Sequence, residues 1–152
     1  MKLGEALSQL KKEQSRLARL TLLRKENVYR EKGKQTKFNP AKLSGEIDKK
    51  LEEIRKLKIK IQKTNLNTNV AGENITLAES IIKLNDLRSN IANLSTLFEK
   101  KRDFLYRDKD EKEMIAQLDE LKIEDKIEKL EIEKVQLDNK IQMTNWTTKL
   151  LD

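Results

Sequence analysis

The sequence predicts an all-α protein in which four long helices form two antiparallel hairpins with coiled-coil-like packing. The 152 residues include only 4 Gly and 1 Pro, a scarcity that is typical of long helices and coiled coils. Apolar residues recur at spacings of three and four, and a disordered chain has no need of such periodicity. Segments of the sequence also recur, which indicates two copies of one hairpin.

The first predicted helix runs from about Leu3 to Arg30, with leucines at alternating spacings of four and three. The second begins at Asn39-Pro40, because Asn is a good N-cap and Pro suits the first helical position. Its apolar stripe continues to about Asn65. A basic connection separates the two helices.

The third predicted helix opens at Thr76, since Thr76 and Glu79 have the spacing of a capping box. Its apolar stripe predicts a helix that ends near Tyr106. A polar, Asn-rich connection, residues 66–74, precedes it.

The fourth helix is predicted to start at a second capping box, formed by Asp110 and Glu113. Met114 and Leu118 then occupy its first turns. The apolar stripe shifts phase before Ile123, as at a stutter in a coiled coil.

Two blocks of sequence repeat at nearly constant offsets. An Ile-Gln-x-Thr-Asn-x-x-Thr block at 61–68 recurs at 141–148, which is 80 positions later. A pattern that starts at Leu3 recurs from Leu77, 74 positions later. The first block owes nothing to leucine periodicity, so it favours an internal duplication.

The expected architecture is a single helical domain, 1–152, with repeats at about 1–68 and 75–152. A hairpin with narrow apolar stripes buries too little surface to offset its chain entropy. The helices also carry apolar residues beside their main stripes, and a closed bundle would leave these partly wet. We therefore expect the protein to bind copies of itself as a homo-oligomer. The flanking residues are Leu22, Leu23, Leu57, Ile59, Ile82, Ile132 and Val135.

The most specific motif is the polar end of the second and fourth helices. It could line a ligand pocket, with Trp146 stacking on a ligand or a partner. It could equally be structural, since Asn ends helices in the left-handed conformation, Thr hydroxyls bond last-turn carbonyls and Trp packs. The structural alternative is favoured, because Leu66 stands in the first repeat where Trp146 stands in the second. The motif comprises Gln62, Thr64, Asn65, Gln142, Thr144, Asn145, Trp146, Thr147 and Thr148.

Catalysis finds few candidates in this sequence. There is no His and no Cys, so the commonest general base and the thiolate and imidazole metal ligands are missing. Carboxylates of the fourth helix lack the Glu-x-x-His pairs of di-iron bundles, and they are expected on a solvated face or in ion pairs. We predict no catalytic residue, no cofactor, no metal and no enzymatic activity. The carboxylates are Glu120, Glu124, Glu128 and Glu131.

The net charge of +7 is unevenly distributed. Residues 1–63 carry +11, residues 64–107 carry +1 and residues 108–152 carry −5. The basic hairpin therefore has an acidic partner in the fourth helix, within the chain or across subunits. Nucleic-acid binding through the first hairpin is the weaker alternative. The best anion patch surrounds Phe38 and consists of Lys32, Lys34, Lys37 and Lys42.

The chain resembles the septicolysin-like family of small bacterial proteins. The resemblance implies a helical, self-associating protein without known catalytic residues. Because that family is named after a clostridial haemolysin, a membrane-acting cytolysin is the alternative function. The resemblance rests on Met1-Lys2-Leu3-x-Glu5-Ala6-Leu7, Ile61-x-x-Thr64-Asn65, Thr76-Leu77-Ala78-Glu79 and Ile141-Gln142-x-x-Asn145-Trp146-Thr147-Thr148-x-Leu150.

Membrane contact is expected only if the cytolysin alternative holds. No apolar run approaches the roughly 18 to 20 residues needed to span a bilayer. The first residues also meet charged side chains before any apolar segment, unlike a secretory signal. A cytoplasmic location is therefore expected.

Overall fold

The computed structural model describes residues 1–99 and 114–152, and within these ranges it contains four α-helices and no β-strand. This confirms the all-α prediction. Two isolated antiparallel bridges, Lys2 with Lys149 and Asn69 with Thr76, link the chain outside the helices. The helices are α1 (Leu3–Glu26), α2 (Pro40–Asn67), α3 (Leu77–Ser95) and α4 (Glu120–Thr147).

Helices α1 and α2 pack side by side in opposite directions. The predicted start of α2 is confirmed, since the Asn39 side chain accepts hydrogen bonds from the backbone amides of Ala41 (2.9 Å) and Lys42 (3.3 Å). Near the connection between the helices, Arg24 donates a hydrogen bond to Ser44 at 3.2 Å. We call α1 and α2 the first helix pair.

Helix α1 ends at Glu26, so its predicted extension to Arg30 is wrong. Asn27 stops it. Its side-chain amide donates to the carbonyl oxygen of Leu23 at 2.8 Å and so satisfies a last-turn acceptor. Its Oδ1 also accepts from the backbone amide of Phe38 at 3.5 Å, which ties the connection back to the helix end.

Helix α3 begins at the predicted capping box. Thr76 Oγ1 accepts from the Glu79 amide at 3.2 Å, and the Glu79 carboxylate accepts from the Thr76 amide at 2.7 Å. The helix ends at Ser95, and the next four residues form turns. The predicted end near Tyr106 lies outside the described residues, but a continuous helix to that point is wrong.

Helix α4 begins at Glu120, later than predicted, and Met114 and Leu118 lie in non-helical chain before it. Its N-cap is Asp119, whose carboxylate accepts from the amides of residues 121 and 122 at 3.0 and 3.3 Å. A carboxylate at a helix N-terminus is also favoured by the helix dipole. The predicted box at Asp110 and Glu113 lies outside the described residues. Helices α3 and α4 pack together as the second helix pair.

The main core lies where the two helix pairs meet. The first turns of α1 and α3 converge there with the last turns of α2 and α4, so both pairs extend away from one buried cluster. We call this cluster the junction. It consists of Leu3, Ala6, Ile61, Val70, Leu77, Leu84, Leu87, Leu137 and Ile141.

Midway along the first helix pair, an ion pair takes the place of apolar packing. Glu13 and Lys50 approach to 2.8 Å, and their side chains are only 12% and 19% exposed. The hydrogen bond from Lys50 holds the pKa of Glu13 below its ordinary value of 4.5. In the second pair, the residues 74 and 80 positions later are Leu87 and Leu130, of which Leu87 is buried. The same site is therefore ionic in one pair and apolar in the other.

We expect Glu13→Leu to lower the midpoint of urea unfolding, because it leaves the half-buried Lys50 without its main partner. Glu13→Leu combined with Lys50→Leu should recover most of that loss, since leucines occupy the matching sites of the second pair. The pKa of Glu13 is lowered in the folded chain, so its stabilisation is present at neutral pH and disappears as pH falls below about 4.5. The double variant should lose this part of the acid sensitivity.

The control is Arg55→Leu with Glu52→Leu, an ion pair on the exposed surface of α2. Its removal should leave the unfolding midpoint nearly unchanged. A double Glu13 and Lys50 variant as unstable as Glu13→Leu alone would contradict the prediction.

Candidate functional site at the helix junction

The polar motif predicted from the sequence lies at the junction, and its two threonines hold the structure together. Thr64 and Thr144 are 0% and 3% exposed. Each hydroxyl donates to the carbonyl oxygen four residues earlier at 2.8 Å. Thr64 Oγ1 also accepts from the Leu151 amide at 3.0 Å, and Thr144 Oγ1 accepts from the Ala71 amide at 3.2 Å. Each threonine thus fastens the segment that follows the other pair's last helix, and neither hydroxyl remains available for a ligand.

Backbone hydrogen bonds close the junction in the same crosswise manner. Each one joins a residue that follows α2 or α4 to the chain at the start of α3 or α1. Thr148 contributes through its carbonyl oxygen, so its role is in the backbone. The bonds are Leu3 N to Thr148 O (2.9 Å), Leu77 N to Thr68 O (2.8 Å), Leu150 N to Met1 O (3.0 Å) and Val70 N to Ile75 O (3.0 Å).

One buried hydroxyl of the junction has no partner. Ser80, in the first turn of α3, is 0% exposed, and its Oγ makes no hydrogen bond within the described chain. The residue 74 positions earlier is Ala6, also 0% exposed.

We expect Ser80→Ala to raise the free energy of unfolding by about 1 kcal/mol, because it removes a buried polar group that lacks a partner. Ala6→Ser should lower the free energy of unfolding by a similar amount. Urea unfolding followed by circular dichroism measures both. A loss of stability in Ser80→Ala would show that this hydroxyl is satisfied in solution.

The two asparagines of the motif occupy a different position from the one predicted. Asn65 and Asn145 are 8% and 7% exposed and lie within α2 and α4, which continue to Asn67 and Thr147. The expected left-handed asparagine caps are wrong, since no described residue other than glycine has a positive φ. Neither side-chain amide bonds to another described residue. The caps are threonines in extended conformation, and their N–H and C=O groups make the crosswise bonds described above.

Trp146 both packs and faces solvent. Its indole lies on the backbone of Gly4, so closely that a Cβ on Gly4 would stand 2.8 Å from Cδ2 and Cε3 of the ring. The side chain is nevertheless 56% exposed. Gln62, Gln142 and Thr147 are also exposed, and the Thr147 hydroxyl donates to a carbonyl of its own helix at 3.0 Å. The junction brings the motif together as a clasp, with Trp146 at its outer surface.

The predicted anion patch lies at the opposite end of the first helix pair. Lys32, Lys34 and Lys37 belong to the connection between α1 and α2, and Lys42 lies in the first turn of α2. All four are exposed. Lys34 pairs with Glu31, and the Lys37 ammonium stands 5.7 Å from the centre of the Phe38 ring. These contacts are local, so the structure shows a solvated basic loop.

The acidic residues of α4 pair mainly along their own helix pair. Glu133 approaches Lys83 of α3 at 2.8 Å, and Glu131 pairs with Lys134 of α4. Within residues 1–99 and 114–152 no cluster of acidic side chains could hold a metal ion. In the same ranges, no helix is long and apolar enough to cross a membrane.

A surface groove of about 490 Å³ lies beside the junction, between the chain termini and α2. Lys60 and Asp152, which approach to 2.9 Å, both line it. The sequence gave no signal for this groove, because the C-terminal residues reach α2 only through the fold. Its lining residues are Met1, Gln9, Glu53, Lys56, Leu57, Lys60, Lys149, Leu150 and Asp152.

Comparison with known proteins places the chain in a family without an assigned role. The sequence model of a family of unknown function, DUF6847, matches residues 11–150. The chain belongs to this family. It is also similar to the crystal structure of a functionally unknown conserved protein from Corynebacterium diphtheriae, with 29% sequence identity, a TM-score of 0.88 and 99% of each chain covered. No curated protein matches the sequence.

The septicolysin-like assignment is therefore wrong. The DUF6847 match covers nearly the whole chain, and neither it nor the Corynebacterium structure has a link to septicolysin. The residues behind the resemblance are those that cap helices and close the junction, and such features record a fold without recording an activity. The cytolysin alternative rested on the resemblance and is withdrawn with it.

Proposed function

We propose that this DUF6847 protein is a structural or interaction protein that assembles with copies of itself and has no enzymatic activity. The observation that carries the proposal is the large surface of the single chain. It exposes 12178 Å², whereas a compact monomer of 17.8 kDa exposes about 8,000 Å². The fourteen residues outside the described ranges would contribute at most about 2,200 Å² even if fully extended.

Much of this surface is apolar. Twelve of the side chains concerned are at least half exposed, among them Leu22, Ile59, Ile82 and Ile132. Scattered apolar residues are ordinary on a protein surface, but larger contiguous patches mark contacts with other molecules. Two helix pairs joined at one end leave such residues uncovered along their length. Association with another chain would cover them.

We also infer that the two helix pairs are copies of an ancestral hairpin. The crosswise hydrogen bonds support this, since each has a counterpart whose residues lie 74 and 80 positions later. The N-caps Asn39 and Asp119 are likewise 80 positions apart. Differences between the copies then point to what each surface does, because the shared fold imposes the same demands on both.

Sedimentation velocity over a wide range of protein concentration tests self-assembly. We expect a discrete oligomer whose population rises with concentration. A single monomeric species at the highest concentration would overturn the proposal.

Nucleic-acid binding by the first helix pair and a cytoplasmic location remain predictions. Salt-sensitive retention of duplex DNA would support the first, since counterion release dominates such binding. No retention at low salt would dispose of it. Cell fractionation checks the location.

A further inference from the structure

Helix α4 presents an uncharged face to solvent over four turns. At about 100° per residue, seven of its residues fall within an arc of about 120°. All seven are exposed, and the four apolar ones are between 52% and 60% exposed. None is charged, although 39% of the chain is. We call this surface the α4 outer face. It consists of Ile132, Val135, Gln136, Asn139, Gln142, Met143 and Trp146.

The fold itself does not require this face to be uncharged. The residues 80 positions earlier lie on α2, a helix of the same length with the same cap and the same junction contacts. Four of the seven are charged there, as expected of a solvated helix surface. The apolar character of the α4 outer face is therefore a property of this copy alone. The α2 residues are Glu52, Arg55, Lys56, Ile59, Gln62, Lys63 and Leu66.

The α4 outer face is symmetric about its central residue. Ile132 and Trp146 each lie seven positions from Asn139, and Val135 and Met143 each lie four positions from it. Two copies of the helix, placed antiparallel with Asn139 at the centre, would match these residues in pairs. A twofold interface requires this self-complementarity, since a residue that contacts a second residue must be contacted by it in return.

We propose that two copies of the protein pair through this face, with the α4 helices antiparallel around a twofold axis at Asn139. Ile132 then packs on the partner's Trp146, and Val135 packs on the partner's Met143. Gln136 meets the partner's Gln142, so amides rather than like charges flank the centre. The two Asn139 side chains meet at the axis, where a polar residue fixes the register of paired helices. This interface rests on the proposed self-assembly and names the surface responsible.

Charge favours a second copy over a polyanion as the occupant. Residues 108–152 carry a net charge of −5, and Asp125 and Glu128 continue the line of the face toward the start of α4. An anionic membrane or a nucleic acid would be repelled there. In the antiparallel pair, Glu128 instead lies near the partner's Lys149, since the two positions are almost equally distant from Asn139. The ends of the interface are then of opposite charge.

Cysteine cross-linking tests the register directly, because the chain has no cysteine of its own. In the full-length protein, we expect Asn139→Cys to form an intermolecular disulfide under mild oxidation. Ile59→Cys, at the matching position of α2, should not. Val135→Cys mixed with Met143→Cys should cross-link as a heteropair. Each alone should cross-link poorly, because two copies of either residue are about 12 Å apart along the helices, beyond the roughly 7 Å that a disulfide spans.

Val135→Arg supplies the second measurement. It places on α4 the residue that α2 has at the matching position, so the helix is expected to fold normally. We expect dimer affinity to fall about tenfold or more in sedimentation, with an unchanged helical circular dichroism spectrum. An oligomer that survives Val135→Arg and shows no Asn139→Cys cross-link would overturn this interface and leave self-assembly standing. A wild-type protein that is monomeric throughout would overturn both.

Discussion

Leu77→Ala is expected to lower the free energy of unfolding by about 3 kcal/mol, the largest loss from any single substitution considered. Leu77 is 0% exposed in the first turn of α3, where it belongs to the junction. Truncating a buried leucine to alanine costs about 2 to 5 kcal/mol, because both transfer energy and packing are lost. Domains of this size are stabilised by only about 5 to 15 kcal/mol, so much of the total is at stake. Urea unfolding followed by far-ultraviolet circular dichroism measures it.

The controls use the second copy and the surface. Leu3→Ala, 74 positions earlier and also 0% exposed, should cost a similar amount. Leu22→Ala, at a side chain 55% exposed on α1, should cost well under 1 kcal/mol in the monomer. If Leu77→Ala were as mild as Leu22→Ala, the junction would not be what holds the two helix pairs together.

Features that depend on neighbouring residues could be predicted from the sequence. The caps at Asn39 and Thr76 were found because side-chain oxygens at those positions bond amides two or three residues later. The early end of α1 was missed, since Asn27 stops the helix partly through a bond from the distant Phe38. The start of α4 at Asp119 carried an unused signal. It lies 80 positions after Asn39, the offset already seen at the helix ends.

The candidate site was found in the sequence, but its role was only partly predicted. The repeat singled out Thr64 and Thr144, yet their partners are Leu151 and Ala71, which lie outside their own helices. No spacing rule predicts that each threonine bonds the segment following the other pair's last helix. The close contact of Trp146 with Gly4 is equally nonlocal, because it joins the two ends of the chain.

The second large effect concerns this contact between the chain ends. We expect Gly4→Ala to lower the free energy of unfolding by about 1 to 2 kcal/mol, because the new methyl group collides with the Trp146 ring. The better helix propensity of alanine offsets part of this, by up to about 1 kcal/mol. The change in fluorescence of Trp146, the sole tryptophan, reports whether the ring is displaced.

The other end of the junction shows how the collision should be relieved. There the residue 74 positions after Gly4 is Ala78, and the residue 80 positions before Trp146 is Leu66. Gly4→Ala combined with Trp146→Leu recreates that pair, so the alanine should be neutral or stabilising once the indole is gone. The double-mutant cycle belongs on a Val135→Arg background, which separates folding from self-association. Equal costs of Gly4→Ala with Trp146 and with leucine would show that the ring swings freely away from α1, and that the exposed indole has no fixed seat on the junction.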